Sequence, residues 1–241
     1  MINVNNMKKQ NRILLKISGE ALMGKEKFGH DNTMIDQICE DIKEVYDLGY
    51  EICLVVGGGN ICRGATVAEV GIERATADYM GMLATVINAI ALQSKLESKS
   101  LYTRVVSAIP IITIVEQYIR RKAIRHLEKG RIVIFAAGTG NPFFTTDTGG
   151  VLRAIEMNCS LILKGTQVDG VYSEDPKKNS KAVKYKELTH NEVIKNNISV
   201  MDTTAITLAH DNEMPIRIFN IGKKGEFAEV LQNNGDFTTI K

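Results

Sequence analysis

Lys16 lies inside the apolar run Ile13-Leu-Leu-Lys-Ile17, where an unpaired ammonium is costly, so its head must reach the strand's end or meet an anion. A lysine snorkelling to the surface is the ordinary alternative. Gly57, Gly58 and Gly59 follow a second apolar run and remove every side chain that would keep a ligand from the backbone, although three glycines can also form a merely permissive turn. Arg63 comes four residues after this turn, and its planar fork suits bridging phosphates unless it is only an exposed loop arginine. A third run, Arg131-Ile-Val-Ile-Phe135, empties into AAGTGNPFFTTDTGG, residues 136–150. There Thr139, Thr145 and Thr146 can donate and accept, Asn141 adds an amide, and Phe143 and Phe144 offer apolar faces. A flat heterocycle with carbonyls and ring nitrogens would satisfy that set. Asp147 closes the stretch and Asp78 stands near the start of a long helical pattern; each could be no more than a helix cap or dipole partner.

The elements that must position these residues follow from periodicity. Apolar runs bounded by glycine alternate with helical spacing, the pattern of an α/β fold with a largely parallel sheet. Ile13–Ile17 reads as the first strand, then Ile35, Ile38, Ile42 and Val45 mark a helix that Gly49 ends. Ile52–Val56 is the second strand, and a long helix is expected from about Thr76 to Lys95 with Leu83, Val86, Ile87 and Ile90 on its buried side. Further strands are expected near Leu101–Val105, Ile132–Ala136, Leu161–Leu163 and Ile216–Phe219. SEDPKKNSK, residues 173–181, reads as a hairpin or loop, and a soft boundary falls near residue 150 or 160. Ligands of such sheets collect where strands end and helices begin, because backbone N–H groups and helix dipoles there favour anions.

Bulk properties narrow the classes. The 241 residues carry 30 basic and 28 acidic side chains, a formal charge of +2, too balanced to announce a nucleic-acid or membrane surface. The first residues show no signal-peptide pattern and no run approaches the roughly 20 apolar residues of a membrane span, so a soluble, cytoplasmic protein is expected. Cys39, Cys53, Cys62 and Cys159 form no C-x-x-C pair, and His30, His126, His190 and His210 lack zinc-ligand spacing; reduced core thiols and no metal site are expected. Gly19, Gly24 and Lys25 come close to a P-loop, but Glu26 stands where a magnesium-binding hydroxyl is required, and Cys62 breaks a dinucleotide fingerprint after Gly57 and Gly59.

LLKISGEAL, VVGGGNICRG, DYMGMLATVINA, SAIP, GTGNPFFTTD, VDGVYSEDP, VMD and MPIRIFN, in this order, make the chain from about Arg12 onward resemble the bacterial uridylate (UMP) kinases of the amino-acid-kinase superfamily. The resemblance implies a three-layer αβα fold with a central, mainly parallel sheet. It implies an N-terminal extension (1–11) and a single domain (12–241), whose first part, about 12–155, binds the acceptor nucleotide and oligomerises while about 156–241 binds ATP. It implies transfer of the terminal phosphoryl group of Mg-ATP to UMP, in pyrimidine nucleotide biosynthesis. Lys16, Arg63 and Asp147 match the catalytic positions. Lys16, Ile17, Ser18, Gly19, Gly59, Arg63, Thr166, Tyr172 and Asp175 match ATP contacts, and Lys164 is a further lysine turned toward phosphate. Gly58, Asp78, Thr139, Gly140, Asn141, Pro142, Phe143, Phe144, Thr145 and Thr146 match the UMP site, with Asp78 accepting from the ribose hydroxyls.

A UMP phosphate oxygen is already ionised at neutral pH, so this chemistry asks for positioning and charge stabilisation rather than a general base. Magnesium would ride mainly on ATP oxygens, with Asp147 orienting lysines and the magnesium shell rather than touching the metal directly. The resemblance also implies a homohexamer activated by GTP and inhibited by UTP, with Gly24, Lys25, Glu26, Lys27, Phe28 and Gly29 matching the GTP-linked segment and Arg104 and Arg131 a weaker match. Gly165 and Gln167 depart from the alanine and lysine of the family pattern, His210 from an arginine, and Glu97 from the histidine of some relatives. Two rivals are a carboxylate or carbamate kinase of the same superfamily and a nucleotide-binding protein without phosphoryl transfer. The first gives no reason for GTGNPFFTTD, and the second none for Lys16, Arg63 and Asp147 together.

Overall fold

β1 (Arg12–Ile17) is buried along its whole length, as a strand covered on both faces must be. The computed structural model describes residues 11–62, 71–174, 176, 179 and 181–241. After β1 come a 3-10 turn (Gly19–Met23), α1 (Asn32–Asp47), β2 (Glu51–Val56), α2 (Arg74–Ser98), β3 (Thr103–Ser107), β4 (Glu116–Gln117) and α3 (Arg120–Glu128). They are followed by β5 (Ile132–Ala136), α4 (Thr146–Glu156), β6 (Leu161–Thr166), β7 (Val171–Tyr172), β8 (Lys184–Tyr185) and β9 (Glu187–Leu188). α5 (His190–Lys195), α6 (Thr203–Asp211), β10 (Ile216–Asn220), α7 (Glu226–Leu231) and β11 (Phe237–Ile240) complete the chain.

Among the described residues the main sheet has nine strands in the order β4-β3-β5-β2-β1-β6-β10-β11-β9, parallel except where β11 runs against β10. β1 lies between β2 and β6, so the sheet is continuous across the boundary expected near residue 150 or 160. The strand period of two splits β1 between two cores. Ile13, Leu15 and Ile17 pack with α1, α2 and α7, whereas Leu14 packs with α3, α4 and α6. Lys16 therefore shares the face of Leu14, beneath α4. The proline-bearing break is bracketed by β7 and β8, an antiparallel pair.

The long helix departs from its expected description. α2 begins at Arg74, and Leu83 and Ile87 are 48% and 51% exposed rather than buried, whereas Val86 is 5% exposed. Small and apolar residues on both sides of the helix leave periodicity unable to choose the inner face; Ala77, Ala84, Ala89, Leu92 and Leu96 take it. α2 is also long and apolar enough to cross a membrane by length and composition, contrary to the sequence expectation, yet its place is against β2, β3 and β5 and beside α1. β3 starts at Thr103, two residues later than expected, with Leu101 packed just before it.

Candidate active site

The parallel register of β1 and β6 sets Lys16 directly beside Lys164, on one face of the sheet. Two neighbouring buried ammonium groups would repel each other, and α4 supplies the answer. Its first turn carries Asp147, whose Oδ1 lies 2.8 Å from Lys16 Nζ and whose Oδ2 accepts from Lys164 Nζ at 2.7 Å. Lys164 Nζ also donates to the carbonyl of Val200. Burial alone would raise the Asp147 carboxyl, but the two lysines outweigh it and hold its pKa below the ordinary value. Burial pulls Lys164 below the ordinary lysine value, with Asp147 opposing and Lys16 reinforcing the shift. Lys16 thus meets an anion instead of snorkelling. Asp147 is not the helix cap: Thr145 accepts from the N–H groups of Asp147 and Thr148 at 3.0 and 3.4 Å. Two cations on one carboxylate leave one net positive charge at the carboxyl ends of adjacent strands, the place such sheets present to anions.

The glycine turn after β2 is built for close packing more than for open access. Gly57 N–H donates to Ile17 O at 2.9 Å, tying this turn to the end of β1. A Cβ on Gly19 would stand 2.6 Å from Gly59 N, one on Gly57 2.9 Å from Gly19 N, and one on Gly58 2.8 Å from both Ala84 Cβ and Gly81 O. Of the three glycines in the turn, Gly59 has room, its nearest neighbour being Glu20 Cγ at 3.9 Å. The turn therefore seats β1 and α2 as well as exposing backbone. Behind it Asn88, a polar residue in the apolar stretch of α2, donates to Gly57 O at 2.7 Å and pairs with Asn60. The Ser18 hydroxyl accepts from Ala21 N–H and caps the 3-10 turn. Arg63 lies outside the described residues.

Between α2 and the segment after β5 is a cleft lined by Gly58, Asp78, Met82, Thr85, Thr139, Asn141, Phe144, Thr145 and Thr146. Asp78 does not cap α2, whose N-cap is Glu73. Its Oδ2 accepts from Phe143 N–H at 2.8 Å and its carboxylate pairs with Arg74 at 2.9 Å, so it holds the glycine-and-threonine segment across the cleft. Phe143 itself points outward, 69% exposed, with the Arg74 guanidinium 5.9 Å from its ring centre, while Phe144 faces the cleft. Gly140 takes a left-handed φ of 81°. Asp202, in the VMD motif to which no role was given from sequence, accepts from the Thr145 hydroxyl at 2.5 Å, from the Thr148 hydroxyl at 2.9 Å and from Ala205 N–H. It thereby joins the threonine-rich segment after β5 to α6.

Other expected positions are spread around this centre. Thr166 ends β6 and its hydroxyl donates to Val168 O at 2.7 Å; the Tyr172 hydroxyl donates to Asp169 at 2.8 Å, and Asp175 lies outside the described residues. At Gly165 an added Cβ would stand 2.7 Å from Ile221 Cδ1, so the family's alanine would require Ile221 to shift. The loop from Gly24 to Gly29 straddles two surfaces. Gly24 and Lys25 line a cavity with Thr166, Gln167 and Ile221, whereas Lys27 and Phe28 flank the exposed apolar face of α2. Gly29 N–H anchors the loop on Asn60 O at 2.9 Å. Arg104 and Arg131 stand elsewhere, in a chain of contacts through Glu97, Glu116 and His126. Among the described residues no group of three or more His, Cys, Asp or Glu could hold a metal ion.

Residues 11–220 match the model of the amino acid kinase family. The chain belongs to the amino acid kinase family. Its relatives in that family include a uridylate kinase of Rickettsia felis, 59% identical over 241 residues and 100% of both chains. Among solved structures it is similar to a UMP kinase from Bacillus anthracis, with a TM-score of 0.92 and 41% identity over 96% of each chain. It is equally similar in shape to a UMP kinase from Ureaplasma parvum, with a TM-score of 0.92 and 38% identity over 96% of this chain and 99% of the other. In this amino acid kinase the αβα layering and mainly parallel sheet of the family carry both the lysine–aspartate clamp and the adjoining cleft.

Proposed function

We propose that this chain is a UMP kinase, transferring the terminal phosphoryl group of ATP to UMP to form UDP and ADP in pyrimidine nucleotide biosynthesis. The single observation that carries the reading is the continuity of cleft and clamp. The segment that lines the acceptor cleft runs straight into the first turn of α4, so Thr145 and Thr146 are followed at once by Asp147 and its two lysines. A nucleoside monophosphate whose base meets Thr139, Asn141 and Phe144 would direct its phosphate toward Lys16. The kinship with uridylate kinases supports uracil as that base.

In this reading the UMP phosphate oxygen attacks the terminal phosphorus of ATP and ADP leaves. Lys16 and Lys164 stabilise charge on the transferred group, and Asp147 keeps the two ammonium groups apart and aimed. Arg63, which follows the glycine turn in sequence, is assigned the same charge-stabilising role by the resemblance. Ile17, Ser18, Gly19 and Gly59 border the ATP phosphates, and Thr166, Tyr172 and Asp175 serve the nucleoside side. Both oxygens of Asp147 are taken by lysines, which fits magnesium riding on ATP oxygens rather than on the protein. Residues 12–155 serve the acceptor and assembly, and 156–241 serve ATP. Location in the cytoplasm, homohexameric assembly, GTP activation through Gly24–Gly29 and UTP inhibition belong to the same reading. Exposed Phe28, Met80, Leu83 and Ile87 form an apolar surface of the kind that self-association covers.

The test is ADP release with ATP and each of UMP, CMP, GMP and AMP. UMP should be strongly preferred, since a mispaired buried polar edge costs about 1–3 kcal/mol. Equal turnover of UMP and CMP contradicts the reading, and no turnover with any of the four removes it.

A further inference from the structure

Ala137 is the first residue after β5 and the hinge on which the acceptor segment turns. It is fully buried and adopts φ 62°, a left-handed conformation that a residue with a Cβ rarely takes unaided. Its N–H donates to the Thr85 hydroxyl at 2.7 Å. Thr85 comes from α2, is 2% exposed, and its hydroxyl donates to Met82 O at 2.7 Å. A threonine hydroxyl has one hydrogen, and the Met82 carbonyl takes it, so the lone pairs are left for Ala137 N–H. The direction of this bond is therefore fixed from within the helix.

A displaced Ala137 would be felt on both sides of the site. Gly140 N–H donates to Ala137 O at 2.9 Å, closing the turn that carries Thr139. Gly138 is in close contact with α4: a Cβ on Gly149 would stand 3.1 Å from Gly138 Cα. The other left-handed, non-glycine residue of the segment, Phe143 at φ 71°, is held by Asp78, seven residues before Thr85 on α2. One face of α2 thus holds both unusual backbone positions of the acceptor segment.

We infer that Thr85 is a positioning residue for the acceptor nucleotide: by holding Ala137 N–H it fixes the left-handed turn that places Thr139 and the cleft wall, without itself reacting. This rests on the UMP kinase reading. Wild-type ADP release with UMP is measured first, and its absence removes that reading before Thr85 is in question. In the active enzyme, Thr85→Val keeps the shape and loses both hydrogen bonds; the UMP KM should rise about tenfold with the ATP KM unchanged. Thr85→Ser should restore the UMP KM. Adding Ala137→Gly to Thr85→Val should also recover part of it, because glycine adopts the left-handed turn without a side-chain hydroxyl to hold it. Where Thr85→Val does not fold, Thr85→Ala removes the same hydroxyl without crowding. An unchanged UMP KM, an equal rise in both substrates' KM values, or failure of serine to rescue would overturn the inference.

Discussion

The clamp and the acceptor cleft adjoin along the chain yet are built by different means. Lys16, Asp147 and Lys164 stand on two paired strands and a helix, each 13% exposed or less in its side chain, and their positions follow from strand register and helix start. The acceptor segment is irregular backbone, held in place by side chains that α2 and the start of α6 extend to it: Thr85, Asp78 and Asp202. A buried charge cluster is rigid because breaking it leaves an uncompensated ion, at a cost of about 3–5 kcal/mol. A loop held by single hydrogen bonds can adjust for less, about 0.5–1.5 kcal/mol for the neutral bond of Thr85 and about 1.5–3 kcal/mol for each bond to the Asp78 and Asp202 carboxylates. On the UMP kinase reading, the transfer machinery is thus fixed by the fold, and acceptor selectivity rests on contacts that can change without unfolding it.

The largest effect should come from the clamp. Lys16→Met removes charge that matters most as the phosphoryl group moves, so kcat should fall about 10²–10³-fold with little change in the UMP KM, read by coupled ADP release. A near wild-type kcat would place the lysine outside the chemistry. Next, Asp78→Ala should raise the UMP KM roughly ten- to a hundredfold and spare the ATP KM, through loss of charge-assisted bonds to ribose and of the hold on Phe143. A lower melting temperature with an unchanged UMP KM would leave Asp78 only its structural bond. Replacing both Lys25 and Lys27 by alanine should blunt GTP activation and leave basal rates within a few-fold. Collapse of the basal rate would move this loop into the active site, on the side where Lys25 shares a cavity with Thr166.

The smallest effect lies away from both regions. Asp41 of α1 is buried, accepts from Gly225 N–H at 3.0 Å with Oδ1, and is raised to about 6 by burial. A carboxyl whose folded pKa exceeds its unfolded one binds the proton better when folded, so wild-type stability falls as pH rises from about 4 to about 6. Asp41→Asn lacks that loss. Its melting temperature relative to wild type should climb over this interval by several degrees and then level off. A difference that stays constant from acid to neutral pH would show that Asp41 does not titrate in this range.

How much was legible in the sequence divides along the same line. Lys16 stood out because a charge inside an apolar strand demands an anion, and the threonine-rich segment because its polar groups have no use in a core. The pairing of Lys16 with Lys164 was hidden, since register between strands remote in sequence is a tertiary fact. Asp78 read equally well as a cap because its partner, Phe143, lies in another element. Thr85 and Asn88 offered only the faint signal of polar residues within the apolar stretch of α2, and Asp202 that of a helix cap. The outer face of α2 was misjudged because both faces are apolar, and only the sheet decides which one is covered.

The central claim, that transfer and acceptor selection are the work of separately built regions, is tested most directly by kcat/KM for UMP in Lys16→Met, Asp78→Ala and the double variant. Lys16 is paired with Asp147, and Asp78 with Arg74 and Phe143, so the two share no protein partner and would meet UMP at opposite ends. The losses should therefore multiply to within about threefold in the double variant. A double variant no worse than Lys16→Met alone would mean that clamp and cleft act as one unit, and would contradict the account.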